Sequence, residues 1–188
     1  MAKREKSNPS WINVKKAIEA RDHAELVKLV GDLYRNSKAN RDFLHARFSI
    51  GEDPLKPYKE IIKESVYPDM YSNKPVRISR AESAIGDYRK AVGDPMGVVE
   101  LMLYLAECGI DVACRFGDMP DRFCSSVVES YRLAARHVER LPAEETRRPF
   151  IARLDRIRRS PEAKDWAYWD SIDEAFQHAF GYDEDVEE

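Results

Sequence analysis

Between Val98 and Val112 nearly every residue is apolar, and Glu100, Tyr104, Glu107 and Asp111 interrupt the run at i, i+4, i+7 and i+11. That spacing places the four on one face of a helix, so a single polar strip runs down an otherwise apolar rod. A helix of this kind, spanning about Pro95 to Phe116, must be covered on several sides and is expected at the centre of the fold. Its carboxylates then need partners, since an unpaired buried charge costs several kcal/mol. Arg89 and Lys90 upstream, with Arg132 and Arg136 downstream, are the candidates. Read functionally, the strip is a polar pocket in which one carboxylate of raised pKa acts as acid or base. Read structurally, it is a set of ion pairs or a solvated stripe, which suits a chain so rich in charge.

The rest of the chain is helical in period. Ser10 and Asp22 are placed to cap the first two helices, and Leu26, Leu29, Val30, Leu33 and Tyr34 form one stripe on the second. A third short helix follows Ser37, and a fourth runs from Tyr58 to Val66. The stretch Tyr67 to Ile78, with Pro68, Asn73 and Pro75, reads as a long connection of the kind that carries function. Ser79 and Glu82 have the capping-box spacing, and Asp94-Pro95 gives a cap with proline in the first turn. Beyond Gly117 and Pro120 lie a helix to about Leu141, an Arg-rich helix opened by Pro142, and a last helix from Ser160-Pro161 to Gly181. The pattern predicts an all-α fold of about nine helices, either an irregular bundle or a short superhelix of antiparallel hairpins. Residues 10–181 are expected to form one domain, between a loose tail at 1–9 and an acidic tail at 182–188.

Composition agrees. The 188 residues are 43% hydrophobic and 35% charged, enough for a core beneath a heavily charged surface. Eight Gly and ten Pro argue against collagen-like, low-complexity and turn-dense all-β classes. The longest apolar run, Leu101 to Ala106, is far short of the ~18 residues that span a bilayer, and no apolar segment follows the basic start. A cytoplasmic setting without membrane association is the expectation. Cys108, Cys114 and Cys124 match neither a disulfide framework nor paired zinc knuckles, and their apolar neighbours suggest core-filling thiols.

Motifs for chemistry are sparse. His23, His45, His137 and His178 stand apart from one another, and Asp165, Asp170, Asp173 and Glu174 belong to no ligand motif, so no metal and no cofactor is expected. Neither a Gly-x-Ser-x-Gly elbow nor a Gly-rich phosphate loop occurs.

The small net charge of −3 conceals a segregation. From Arg132 to Arg159 nine Arg face four acids, whereas from Ser160 onward ten acids face only Lys164. Arginine suits planar, bidentate pairing with carboxylate or phosphate. Arg147, Arg148, Arg153, Arg156, Arg158 and Arg159 therefore form a candidate partner-binding patch, unless the acidic segment lies against them. On the last helix Trp166, Trp169, Ile172, Phe176 and Phe180 make an aromatic stripe expected to dock on the core.

The blocks Glu25–Tyr34, Phe43–Phe48, Arg80–Lys90, Leu101–Gly109 and Gly117–Phe123 resemble a domain-of-unknown-function family of small helical prokaryotic proteins, over about residues 20–140. The resemblance implies an all-helical cytoplasmic protein and carries over no activity or catalytic residue. Three functional expectations follow. The first is a non-catalytic adaptor or scaffold that binds a protein partner through charged helical surfaces. The second is a nucleic-acid-associated protein using the Arg-rich helix. The third is a small hydrolase or lyase using the carboxylates Glu100, Glu107 and Asp111, with Tyr104 on the same strip, either alone or with a divalent metal held by oxygen ligands. Self-association stays open.

Overall fold

A computed structural model describes residues 10–67, 76–117 and 119–181. The described residues form ten helices and no strand. Among the described residues the chain divides into two compact units, with the boundary between Leu44 and His45. Both expected tails lie outside the described residues, as do residues 68–75 of the long connection.

The first unit holds α1 (Trp11–Glu19), α2 (His23–Asn36) and most of α3 (Lys38–Arg47). A reciprocal capping box starts α2: the Asp22 carboxylate accepts from the Glu25 amide, and the Glu25 carboxylate accepts from the Asp22 amide. Two backbone donors are thereby satisfied at once. Ser10 occupies the N-cap of α1 without a side-chain bond. No residue of α1 or α2 is buried, and Leu29, Val30 and Leu33 of the expected stripe are exposed.

The second unit is built on α6 (Pro95–Phe116), which packs against α4 (Lys56–Val66), α5 (Ile78–Ala91), α7 (Asp121–Glu139) and α9 (Pro161–Lys164). Asp94 caps it by accepting from the Met96 and Gly97 amides, with Pro95 at the position where no amide donor is needed. Two glycines let neighbours approach: a Cβ at Gly97 would lie 2.1 Å from Tyr88 Oη, and one at Gly109 would lie 2.2 Å from Val127 Cγ2. Every residue from Gly97 to Ala113 is buried except Glu100, Tyr104, Glu107 and Asp111. Burying a Leu or Val side chain contributes roughly 1.5–3 kcal/mol, so α6 is the main source of cohesion.

α8 (Glu144–Arg159) lies against α7 and α9, and α10 (Trp169–Phe180) against α7 and α8. The expected last helix is split in two. Residues 165–168 leave the helix so that Trp166 is buried while the Tyr168 hydroxyl donates to Asp121. Ile172 and Phe176 are buried, and Trp169 Nε1 donates to the Arg158 carbonyl at 2.8 Å, so the aromatic stripe docks on the core. Two local expectations are corrected. α5 begins at Ile78, where the Arg77 amide donates to the Ser65 carbonyl at 2.8 Å, so Ser79 lies inside the helix and caps nothing. Cys114 is exposed on the last turn of α6, while Cys108 and Cys124 are buried; all three are free thiols.

Candidate functional site

The strip on α6 and the arginines of α8 meet. Arg153 places Nε and Nη2 on the two oxygens of Glu107, both at 2.7 Å, and Nη1 on Glu100 at 2.5 Å. The other Glu100 oxygen accepts from Lys59 Nζ of α4 at 2.7 Å. Lys59 also lies 5.7 Å from the centre of the Tyr104 ring, within cation–π range. One turn further, Asp111 accepts from the Tyr67 hydroxyl at 2.7 Å and from Arg115 Nε at 2.6 Å. All three carboxylates are thus partnered. Their partners come from α4 and its C-cap Tyr67, from α8 and from the end of α6 itself, rather than from Arg89, Lys90, Arg132 or Arg136.

The electrostatics follow from that geometry. Burial pushes the Glu100 carboxyl up, but hydrogen bonds and charge from Lys59 and Arg153 outweigh it and hold the group below its ordinary 4.5. The bonds to Glu107, working against burial, raise Arg153 above the usual guanidinium value. Burial pushes Tyr104 up to about 12 and Cys108 up to about 11. Burial and the bond to Asp111 raise Tyr67 as well. A general acid at neutral pH needs a carboxyl raised toward 7, and Glu100 is shifted the other way. The phenols and the buried thiol stay protonated. As arranged, the strip is a lock of neutralised charges.

The six arginines of the candidate patch divide by helical angle. Arg148, Arg156 and Arg159 share one face of α8 and are exposed. Arg148 and Arg159 make exposed i,i±4 pairs with Glu144 and Asp155, while Arg156 makes no ion pair among the described residues. Arg153 is turned to the strip. Arg158 donates to Asp155 and, at 2.6 Å, to Asp173 of α10, and its guanidinium lies 4.3 Å from the Phe176 ring centre. Arg147 is half-buried, with Nε buried and lacking a hydrogen-bond partner among the described residues. One acid of the C-terminal segment, Asp173, therefore neutralises one arginine of α8.

Beside the strip lies a groove of about 200 Å³ between α6, α8 and α9, floored by Ile110 and Ile157 and rimmed by Glu107, Asp111, Arg156, Ser160 and Glu162. The sequence reading missed it, because Ile110 and Ile157 are 47 positions apart and only their shared apolar character marks them. Among the described residues no group of three or more His, Cys, Asp or Glu is placed to hold a metal ion. None of their helices is long and apolar enough to cross a membrane.

Fold and site define an all-α protein whose central carboxylate strip is neutralised from within. No family model, no curated protein and no solved structure matches the chain.

Proposed function

We propose that the protein is a non-catalytic interaction module that binds a protein partner through the outer face of α8. The observation that carries this reading is the division of the arginines. Arg148, Arg156 and Arg159 stand exposed on one face, while the acid–base candidates on α6 are engaged with Arg153, Lys59, Tyr67 and Arg115. Arginines on a solvated rim set partner choice and association rate more than affinity, and a surface carrying carboxylates answers their charge. A nucleic-acid reading would call on all six guanidiniums, and Arg153 and Arg158 are held by carboxylates inside the fold. Three free cysteines suit a reducing compartment, so the cytoplasm is the proposed setting.

Affinity capture from native lysate tests the proposal, with the full chain and its Arg148→Glu/Arg156→Glu/Arg159→Glu variant as parallel baits. A protein retained by the wild-type chain and lost by the variant supports it. Identical retention by both, or retention of nucleic acid that nuclease removes together with all bound protein, would sink it.

A further inference from the structure

Helix α2 carries an apolar stripe with no cover. Leu26, Val27, Leu29, Val30, Leu33 and Tyr34 fall within about 160° of arc at 3.6 residues per turn. The four Asp, Glu, Lys and Arg side chains of the helix, Glu25, Lys28, Asp32 and Arg35, all stand on its other side. No residue of α2 is buried, and Val30 and Leu33 are 44% and 48% exposed. A 14-residue helix is marginal on its own in water, so its stability rests on covering that stripe.

The pattern around the stripe is its own mirror. Leu26 and Tyr34 lie at equal distances before and after Val30, and so do Val27 and Leu33. Among the charges, Lys28 mirrors Asp32 and Glu25 mirrors Arg35, each couple being of opposite sign. We propose that α2 pairs antiparallel with α2 of a second copy of this chain, about a two-fold axis at Val30. Val30 then meets Val30 of the other copy, and Leu26 and Val27 come level with its Tyr34 and Leu33. Every acid of one helix is level with a base of the other, and the two helix dipoles oppose. A parallel copy in register would set acid beside acid and base beside base. The charges stand behind the stripe, so they choose direction and contribute little strength.

The area is sufficient. Trp11, Ile12 and Val14 of α1 are half or more exposed, and with the α2 stripe they present on the order of 700 Å² of apolar surface. A standard interface takes about 800 Å² from each partner, about 65% of it apolar in homodimers. Between Trp11 and Asn36 five basic residues face four acidic ones, so like charge does not keep two copies apart. A different partner would have to match the mirrored order, whereas a second copy carries it by construction. The pairing is independent of the role proposed for α8.

Sedimentation velocity on the full chain tests the pairing. The expected mass at micromolar concentration is twice the 21.7 kDa of one chain, falling to one chain on dilution. Val30→Asp sets two carboxylates against each other on the axis and should raise the dimer dissociation constant at least about a hundredfold. Val30 is exposed in the single chain, so the substitution leaves the core of α4 to α10 folded. A second readout fixes the face and the direction. In a Cys114→Ser background, Val30→Cys should give a disulfide-linked dimer under oxidised glutathione, because its two copies come within about 7 Å between Cα atoms. Lys28→Cys, on the back of the helix, should not. A single-chain mass at every concentration overturns the proposal, and so does a dimer that Val30→Asp leaves intact. Equal cross-linking through Lys28→Cys and Val30→Cys overturns it as well.

Discussion

Arg153 and Glu107, 46 residues apart in the chain, are joined by two parallel hydrogen bonds of 2.7 Å, the fork-on-carboxylate geometry that gives direction as well as strength. The third arm of the same guanidinium reaches Glu100, whose remaining oxygen is taken by Lys59. Two cations and two anions close a balanced cluster tying α4, α6 and α8 together.

Removing Arg153 leaves both carboxylates short of a partner. Arg153→Leu is expected to lower the unfolding free energy by about 2 kcal/mol, below the roughly 3–5 kcal/mol of a fully buried pair because the cluster is partly wet. Urea denaturation followed by circular dichroism reads the change. Adding Glu100→Gln and Glu107→Gln should recover much of it, since the uncompensated charges are then gone.

Acid should weaken the fold in two separate windows. His137 is lowered from 6.5 by burial, with Arg89 and Arg140 adding to the effect, so the folded protein prefers the neutral ring. Its contribution is present above 6.5 and declines as pH falls through the folded value. Glu100 is held below 4.5, so its contribution is present above 4.5 and is lost as pH drops further through its folded value. Tm measured from pH 7.5 to 3.5 should fall in two steps. His137→Gln should flatten the upper step only, and a single step that ignores this variant would contradict the assignment.

Three glycines should respond in opposite directions to alanine. At Gly109 a methyl group meets Val127, and at Gly97 it meets the Tyr88 ring, so each substitution must push a neighbouring side chain or helix away. A loss of about 1–3 kcal/mol is expected at both, despite the roughly 1 kcal/mol that helix propensity returns. Gly86, within α5, has open space around its missing Cβ. Gly86→Ala should therefore raise the denaturant midpoint, by up to about 1 kcal/mol in stability.

Thiol reactivity should follow exposure. Burial pushes Cys108 up to about 11 and also raises Cys124, which leaves both as protonated core groups. Cys114 is exposed, with its thiol donating to the Glu162 carbonyl. Iodoacetamide at pH 8 should label Cys114 first, and Cys108 and Cys124 only after denaturation, as peptide mass spectrometry would record.

The polar strip was legible because helical geometry fixes it locally: four residues on one face, and those four alone left less than fully buried between Gly97 and Ala113. Its partners were not. Arg89 and Arg132 are nearer in sequence than Arg153, but which helix end comes within a side chain's reach is decided by tertiary packing. The division of the six arginines was present in the sequence as an angle. Arg148, Arg156 and Arg159 repeat within one face, while Arg147 and Arg158 fall on one flank of it and Arg153 on the other, a distinction that summing charge over a segment erases. The break at residues 165–168 left no trace in the pattern, since no Gly or Pro marks it. Burial of Trp166 and the Tyr168–Asp121 bond impose it from outside.

The charges facing inward between α4, α6 and α8 hold the fold, and the proposed binding charges, Arg148, Arg156 and Arg159, face outward. Isothermal titration of a partner recovered by capture tests that separation most directly, against the wild-type chain, Glu107→Gln and Arg148→Glu/Arg156→Glu/Arg159→Glu, with Tm recorded for each. The expected result is a lower Tm with unchanged affinity for Glu107→Gln, and an unchanged Tm with at least about tenfold weaker affinity for the triple variant. The contradicting result is the reverse: affinity lost at unchanged Tm in Glu107→Gln, with the triple variant binding as the wild type does.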